Sequence, residues 1–352
     1  MTKAGVFAAT GGFVLVVLLV PIVTRLCVRW KLYDWPGPLK IHTQPIPRLG
    51  GIAVAFAILG GATLSIHFSA AGELPLITAL VLICTVGVID DIHGLSAVVR
   101  LVAQVAAGVI LWHSGARLPL VGNEAVSLVV SCVFLVVMIN ALNFLDGADG
   151  LASGVGGIIA ITYAVLPWPA GDHLAPAIAW TLAGSCAGFL LSNFPPARIF
   201  LGDSGSTVVG LCVAFLSLSF YHSHFAAEPR LLFPFVVAGL PLLDAALAVV
   251  RRIRGRVSPF YGDRRHFYDL LLARGWSPRA VILSCYGITA LLGLIGFIGA
   301  RAIPAEFIIP AGAGIGALLV TAIQLGALQP DREGARQARK AFPETDQSRE
   351  IY

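Results

Sequence analysis

Long apolar segments alternate with short polar loops along most of the chain. A helix needs about 20 mostly apolar residues to cross the hydrocarbon core of a bilayer, and eleven segments approach that length, several of them short for a full crossing. Their approximate bounds are 5–27, 50–68, 76–89, 98–114, 124–142, 154–169, 175–193, 205–221, 231–250, 280–299 and 304–327. Because such boundaries shift by a few residues, the count is ten or eleven. The pattern predicts an all-α fold, a polytopic transmembrane helical bundle.

The composition agrees with a membrane protein. Hydrophobic residues make up 57% of the chain and charged residues 12%, with a mean hydropathy of +0.85, whereas soluble domains average about 25% charged residues. No small-residue cleavage site follows the first apolar run, so we expect a retained span. Residues 1–329 are predicted to form one transmembrane domain, and the polar residues 330–352 a disordered tail. The six cysteines lie in apolar segments without metal-site spacing and are interpreted as core thiols.

The basic residues lie mostly in one set of alternate loops. Fifteen of the 24 occupy this set, four lie in the opposite loops and five in the tail. The fifteen are Arg25, Arg29, Lys31, Lys40, Arg48, Arg100, Arg198, Arg251, Arg252, Arg254, Arg256, Arg264, Arg265, Arg274 and Arg279. The positive-inside rule makes this set cytoplasmic and places the N-terminus outside. Orientation in the membrane therefore accounts for the net charge of +5, and no nucleic-acid partner is predicted.

Two acidic motifs end spans on the predicted cytoplasmic side. Asp90 and Asp91 are adjacent and are followed by a glycine turn; burying them costs several kcal/mol unless a cation or hydrogen-bond donors compensate, although a solvated acidic loop is the alternative. Asn140, Asn143, Asp146 and Asp149 lie at the end of the fifth span and just after it, at steps of three. If the helix continues, they share one face and suit magnesium, a phosphate-bound metal, sugar hydroxyls or a base edge. Helix capping explains one such residue but not the row.

A third motif, Phe200-Leu201-Gly202-Asp203-Ser204-Gly205-Ser206, enters the eighth span. Asp203 is interpreted as an N-cap, or as a metal-binding carboxylate beside N–H groups that attract phosphate, and the two roles are compatible.

Two loops carry clusters of basic residues. In the loop 251–279, called the basic loop below, Arg264, Arg265 and His266 fit a pyrophosphate clamp, while part of the charge from Arg251 to Arg256 serves orientation. In the loop 39–51, Lys40, His42 and Arg48 serve either as a membrane anchor or in anion binding. Asp244, inside the ninth span, is either structural or part of the site.

No phosphate-cradling Gly-x-x-x-x-Gly-Lys, nucleophile elbow or His-Glu-x-x-His is present, which leaves phosphoryl transfer as the chemistry that fits acidic clusters and basic clamps. A transporter is the first rival, but it predicts charges near the bilayer midplane. A scaffold that binds anionic lipid is the second rival. It explains the arginines but not the acidic motifs.

In order and spacing, these motifs resemble those of the polyprenyl-phosphate N-acetylhexosamine-1-phosphate transferases, glycosyltransferase family 4, over nearly the whole chain up to Gln329. The resemblance implies transfer of a sugar phosphate from a UDP-N-acetylhexosamine to undecaprenyl phosphate with release of UMP, in a bacterial plasma membrane. It also implies Mg²⁺, or Mn²⁺, at a cytoplasmic active site. The resemblance leaves open whether the protein forms a homodimer.

The resemblance assigns roles to the motif residues. Asp203 matches the metal-binding aspartate, Asp90 and Asp91 the pair near the metal, and Asn143, Asp146 and Asp149 positions around the nucleotide sugar. We therefore predict Asp90, Asp91, Asp203 and His266 as catalytic, and Asp203, Asp91 and Asn143 as metal ligands. The predicted substrate-binding residues are Lys40, His42, Asn140, Asn143, Asp146, Asp149, Phe200, Arg264 and Arg265.

The chain departs from the family pattern in the basic loop. The initiators of common-antigen, O-antigen and teichoic-acid synthesis carry His-x-His-His, and His266 matches the first histidine, but Tyr268 and Asp269 stand at the other two positions. The histidine run of the peptidoglycan branch is also absent. The sequence therefore favours an initiator of a surface polysaccharide over the phospho-N-acetylmuramoyl-pentapeptide transferase, with UDP-N-acetylglucosamine as the default donor and a modified N-acetylhexosamine as its competitor.

Overall fold

The computed structural model describes residues 3–36, 44–65, 70–118, 123–169, 171–224, 232–256, 258, 263–300 and 304–329. The tail predicted for residues 330–352 lies outside this range. The helices are α1 Lys3–Trp30, α2 Gly51–Ser65, α3 Ala70–His93, α4 Ala97–His113, α5 Glu124–Phe144, α6 Leu151–Ala164, α7 Leu174–Asn193, α8 Asp203–His224, α9 Phe233–Val237, α10 Gly239–Arg254, α11 Phe267–Leu272, α12 Pro278–Gly299 and α13 Pro304–Gln324.

The bundle has the composition of a multi-pass membrane protein. Among the described residues, six helices (α1, α3, α5, α7, α8 and α12) are long and apolar enough to cross a bilayer, and α2, α4, α6 and α13 are shorter apolar helices. Large apolar side chains such as Leu18, Val102, Val129 and Leu283 are exposed on the outer surface, as expected where lipid replaces water as the solvent. The helical bundle is thus confirmed, while the number of crossings stays a prediction.

Helix α8 lies at the centre of the bundle. It is buried along nearly its whole described length and packs against α2, α3 and α5. Glycines permit this close packing, because a Cβ on Gly87 of α3 would lie 2.7 Å from the Asp203 carbonyl oxygen and a Cβ on Gly51 of α2 would collide with Gly205 of α8. The first turn of α8 is therefore held against the C-terminal end of α3 and the start of α2.

The ninth predicted span is wrong as a single helix. The chain forms α9 and α10 with a break at Ala238. Pro241 explains the break, because its ring clashes with the carbonyl four residues earlier and it has no N–H to donate. Two further elements were not predicted: a two-stranded antiparallel pair, β1 Tyr33–Asp34 and β2 Ile46–Pro47, and the short helix α11 within the basic loop.

Candidate active site

The N-terminus of α8 is capped by a carboxylate from another helix. The N–H groups of Asp203 and Ser204 donate to the two oxygens of Asp91, at 3.0 Å each. Gly202 has φ +71° and lies close to the Asp91 carboxylate: a Cβ at this position would be 2.6 Å from Asp91 Oδ2. An anionic group at a helix N-terminus is stabilised by the unsatisfied N–H groups and the helix dipole. Since Asp91 does the capping, the side chain of Asp203 is left for another task.

Asp203 is paired with Asn143 at the end of α5. The Asn143 amide hydrogen-bonds the Asp203 carboxylate, and its Oδ1 accepts a hydrogen bond from Ser206 at 2.6 Å. Both side chains are partly exposed, whereas Asp90 and Asp91 are buried. The oxygen ligands most accessible to a ligand at this point are therefore on Asp203 and its neighbours, not on the adjacent aspartate pair.

The expectation that Asn140, Asn143, Asp146 and Asp149 share one helix face is wrong. Helix α5 ends at Phe144, residues 145–147 form a 3-10 turn and Gly150 has φ +73°, because the two glycines after Asp146 and Asp149 let the backbone turn. Asp146 still accepts from the Gly202 N–H and lies within electrostatic range of Asp91 and Asp203. The structure thus gathers Asp91, Asn143, Asp146 and Asp203, called the acidic centre below, through loop geometry.

Asp149 and Asn140 point to other partners. Asp149 Oδ2 accepts from the Ala197 N–H at 2.9 Å, which ties the turn after α5 to the turn after α7. Asn140 donates to Gln104 of α4 at 2.7 Å and to the Val136 carbonyl within α5. Asn140 is therefore engaged in helix packing one turn away from the acidic centre.

Sequence reasoning missed Asn193, which organises this turn. Its Oδ1 accepts from the Gly150 N–H at 2.9 Å and from Ser153 Oγ at 3.2 Å, and its Nδ2 donates to the Ile199 carbonyl at 2.9 Å. Asn193 is buried, so its three hydrogen bonds hold the loops of two motifs together at a site without competing water. The only sequence signal is an amide at the polar end of an apolar span.

Each member of the aspartate pair lies near an arginine. Asp90 receives a hydrogen bond from the Leu95 N–H and an ion pair from Arg100 at 2.9 Å, so both of its oxygens are engaged. Arg48 lies 3.8 Å from Asp91 and also 3.8 Å from Asp34. Asp90 therefore fixes the turn between α3 and α4, and Arg48 brings the β1–β2 pair next to the acidic centre.

Phe200 contributes to the site through its backbone. Its N–H donates to the Pro47 carbonyl and its carbonyl accepts from Gly50, each at 2.9 Å. These bonds connect the loop before α2 to the loop before α8. Lys40 and His42, predicted to bind substrate from the first of these loops, lie outside the described residues.

The three residues of the predicted phosphate clamp have three different partners. Arg264 pairs with Asp269 at 3.1 Å, Arg265 donates to Gln329 at 3.1 Å, and His266 Nδ1 lies 2.6 Å from Asp244 Oδ2. The structure thus does not show them converging on one point. Tyr268, where the family has a histidine, packs its hydroxyl against Gly147. Asp269 accepts from the His266 N–H at the start of α11.

The basic loop is fastened by buried charges. Arg251 forms two hydrogen bonds to Asp263, at 2.7 and 2.9 Å, and a third to the Ala327 carbonyl after α13, while Arg252 reaches Asp263 at 3.2 Å. Burial opposes ionisation of Asp263, but the hydrogen bonds and charge of the two arginines outweigh it and lower the pKa of this carboxyl. Both arginines are buried, so this part of the charge, which the sequence assigns in part to membrane orientation, has a structural role.

The acidic centre fits a magnesium ion that takes some of its ligands from the protein and the rest from a bound substrate. Within the described residues, no three His, Cys, Asp or Glu side chains form a metal cluster. Mg²⁺, however, is commonly held by one or two carboxylates together with water and substrate phosphates. Asp203, hydrogen-bonded to the Asn143 amide and within electrostatic range of Asp146, offers such a partial set at the start of α8.

Comparisons with known proteins agree with this chemistry. Residues 73–221 match glycosyl transferase family 4. The chain is 30% identical over 295 residues to a probable undecaprenyl-phosphate N-acetylglucosaminyl 1-phosphate transferase of Bacillus subtilis, covering 80% of this chain and 79% of the relative. It is 33% identical over 347 residues to the decaprenyl-phosphate N-acetylglucosaminephosphotransferase of Mycolicibacterium smegmatis, covering 87% and 85%.

A relative from another branch matches a shorter part of the chain. The phospho-N-acetylmuramoyl-pentapeptide-transferase of Moorella thermoacetica is 31% identical over 171 residues, which is 47% of this chain and 50% of the relative. The similarity to the two N-acetylglucosamine-named relatives therefore extends over far more of the chain.

Proposed function

The chain belongs to glycosyl transferase family 4, and we propose that it transfers an N-acetylhexosamine 1-phosphate from a UDP-sugar to a polyprenyl phosphate, releasing UMP. It is a membrane phosphotransferase whose relatives are named for polyprenyl phosphates. The observation that carries the proposal is the acidic centre: partly accessible oxygen ligands around Asp203, beside the N–H groups of α8, at one end of an apolar bundle.

UDP-N-acetylglucosamine is the proposed donor, and the product starts a cell-surface polysaccharide. Relatives named for N-acetylglucosamine match about four fifths of the chain, whereas the match to the muramoyl-pentapeptide branch covers about half. The absence of both family histidine runs from the sequence 263–269 keeps a modified N-acetylhexosamine as the competing donor. The acceptor is a phosphate of ten or eleven prenyl units, following the relatives' names.

Asp203, Asn143 and Asp91 are the proposed magnesium ligands, Asp91 through the lone pairs that its two hydrogen bonds to α8 leave free. A bound Mg²⁺ or Mn²⁺ would neutralise charge on the donor's pyrophosphate. Asp91 contributes through α8 as well, because its bonds to the Asp203 and Ser204 N–H groups fix the position of the Asp203 side chain. Phosphoryl transfer depends mainly on positioning and charge stabilisation, and this rigid arrangement provides positioning.

A general base is not needed in the proposed reaction. The acceptor phosphate is already largely ionised at neutral pH, since the second pKa of a phosphate monoester is about 6. It can therefore attack the sugar-linked phosphorus directly and in line. Asp90 agrees with this proposal, because its oxygens are occupied by Leu95 and Arg100. We assign Asp90 a positioning role in the turn between α3 and α4.

The proposed location of the site is the cytoplasmic side of a bacterial plasma membrane. The motif loops meet at the same end of the bundle as Arg48, Arg100, Arg252 and Arg279, and arginine-rich loops face the cytoplasm. A transporter is the less well supported alternative, because Asp244, which lies well inside the ninth predicted span, bonds to His266 and to the Phe267 N–H of the basic loop.

The test is release of UMP by the purified full-length chain in detergent. UDP-N-acetylglucosamine, UDP-N-acetylgalactosamine and modified UDP-N-acetylhexosamines are supplied in parallel with undecaprenyl or decaprenyl phosphate and Mg²⁺. We expect UMP with at least one donor, no UMP without the lipid phosphate, and loss of activity in EDTA that added Mg²⁺ restores. Absence of UMP from every donor and acceptor combination would refute the proposal.

A further inference from the structure

His266 is a buried histidine whose two ring nitrogens have different surroundings. Nδ1 lies 2.6 Å from Asp244 Oδ2, within hydrogen-bond distance, whereas Nε2 lies 3.7 Å from Asp263 Oδ1, beyond it. Both oxygens of Asp263 already accept hydrogen bonds from Arg251 and Arg252. Among the described residues, Nε2 thus has no hydrogen-bond partner, and it is the nitrogen left to contact a ligand.

The imidazole ring is also fixed by its aromatic neighbours. It stacks on Tyr268, with ring centroids 5.8 Å apart and planes inclined by 5°, and lies 5.5 Å from the ring of Phe144. Phe144 directly follows Asn143, and the Tyr268 hydroxyl contacts Gly147, the residue after Asp146. These contacts place His266 beside the segment that supplies two members of the acidic centre.

Asp244 joins the ring to the backbone of the basic loop. Its Oδ2 bonds to His266 Nδ1, and its Oδ1 accepts from the Phe267 N–H at 2.7 Å. An ionised carboxylate only accepts hydrogen bonds, so Nδ1 must carry a proton. This contact sets both the orientation of the ring and its tautomer, as a carboxylate does for a metal-binding or catalytic histidine.

We propose that Asp244 is a positioning residue for the transfer reaction, which orients His266 so that its Nε2–H is presented to a phosphate oxygen of the substrate. The proposal rests on the proposed function. It assigns the phosphate contact in the basic loop to the Asp244–His266 pair and not to a cluster of Arg264, Arg265 and His266, since both arginines bond elsewhere.

The charges around His266 favour its protonated form. Burial lowers the pKa of His266, but the carboxylates of Asp244, Asp263 and Asp269 outweigh burial, so that the pKa is raised above its usual value. Asp263 is balanced by Arg251 and Arg252, and Asp269 by Arg264. Removal of the Asp244 charge is therefore expected to make the imidazolium less stable and to weaken a donor to an anionic substrate.

The first experiment compares Asp244→Asn with wild type in the UMP-release assay across pH 6 to 9. Loss of an orienting partner costs about 10- to 100-fold in comparable sites, so we expect kcat/KM to fall by that factor and the alkaline limb of the profile to move to lower pH. Asp244→Glu, which keeps the charge, should recover part of the rate. Asp172→Asn, which changes an aspartate at the start of α7 at the other end of the bundle, should retain the wild-type rate.

A double-mutant cycle separates positioning from a general structural role. If Asp244 acts through His266, Asp244→Asn should reduce the rate of a His266→Ala chain by less than about twofold, because coupled residues are non-additive. A reduction by the same factor in both backgrounds, or an unchanged pH profile in Asp244→Asn, would overturn the proposal.

Two further measurements keep the proposal testable if Asp244→Asn does not fold or if no turnover is found. His266→Gln, whose amide can replace Nε2–H, should retain more activity than His266→Asn, and the reverse order contradicts the proposal. Absence of UMP from the wild-type chain would refute the proposed function; the Asp244–His266 coupling is then measured by the pH dependence of the melting temperature of wild type and Asp244→Asn, or of wild type and His266→Gln if Asp244→Asn does not fold, and identical curves overturn it.

Discussion

The acidic centre and the basic loop lie at the same end of the bundle but differ in how their charges are paired. Among the described residues, no Lys or Arg forms an ion pair with Asp146 or Asp203, and both residues are partly exposed. In the basic loop, Arg251 and Asp263 are buried and paired with each other. Unbalanced charge at an accessible point predicts a ligand of opposite sign, whereas balanced buried charge predicts a structural role.

Removal of the Asp203 carboxylate should have the largest effect on activity. We expect Asp203→Asn to lower UMP release by at least about 1,000-fold, because it removes the firmest proposed Mg²⁺ ligand. The folded fraction, followed by thermal unfolding in detergent, should change little, since the α8 cap is supplied by Asp91. A variant with the wild-type rate would remove Asp203 from the metal site.

Arg251 should matter for stability more than any exposed arginine of the same helix. Arg251→Met leaves the buried Asp263 with a weakened set of partners and breaks the bond to the Ala327 carbonyl, so the free energy of unfolding should fall by about 3 kcal/mol. Arg254→Met is the matched control, because Arg254 is exposed on α10. Equal denaturation midpoints in detergent for both variants would show that the buried pair does not hold the loop.

Gly202 and Gly94 form a matched pair that isolates the contact between α3 and α8. Their φ angles are +71° and +69°, but a Cβ on Gly202 would lie 2.6 Å from Asp91 Oδ2 while one on Gly94 would meet nothing within 4 Å. Both alanine variants incur about 1 kcal/mol of backbone strain. In Gly202→Ala, displacement of Asp91 should lower the free energy of unfolding by about 1 kcal/mol more and should also reduce activity. Equal stability and equal activity of the two variants would contradict this account.

The pH dependence of stability should show the smallest effect. The pKa of His266 is raised by Asp244, Asp263 and Asp269 against the effect of burial, so its stabilising contribution is complete below its unfolded pKa of about 6.5 and is lost as pH rises through the folded pKa. The melting temperature should therefore fall between pH 7 and pH 9, and fall less in His266→Gln. Asp263, whose pKa is lowered, titrates far below this range. Parallel curves for the two chains would show that His266 is not the titrating group.

Most of the fold followed from local patterns. The apolar segments predicted the helices because spanning segments must satisfy their backbone hydrogen bonds internally, and the structure places a helix in each apolar segment. The two departures from the predicted helices have local causes in the sequence. Pro241 breaks the ninth span at Ala238, and the glycines after Asp146 and Asp149 end α5 at Phe144.

Partner choice among polar residues did not follow from the sequence. Asp91 and Asp203 are 112 residues apart, and nothing local shows that the first caps the helix that begins at the second. The same holds for Asn193 with Gly150 and for Asp244 with His266, which are 43 and 22 residues apart. A carboxylate that caps a helix and one that faces a ligand are the same residue type in similar motifs, so the sequence alone does not distinguish their roles.

By itself, the sequence determined that this is a helical membrane protein, which of its loops carry chemistry and which family its motifs resemble, because hydropathy and motif spacing are properties of neighbouring residues. Only the tertiary structure decided which charges are already balanced. Asp90, Arg251 and Arg265 are engaged by protein partners, whereas Asp146 and Asp203, which lie within electrostatic range of each other, form no ion pair with a Lys or Arg among the described residues. That distinction depends on distances between residues far apart in the chain, and those distances are set by the packing of helices around α8.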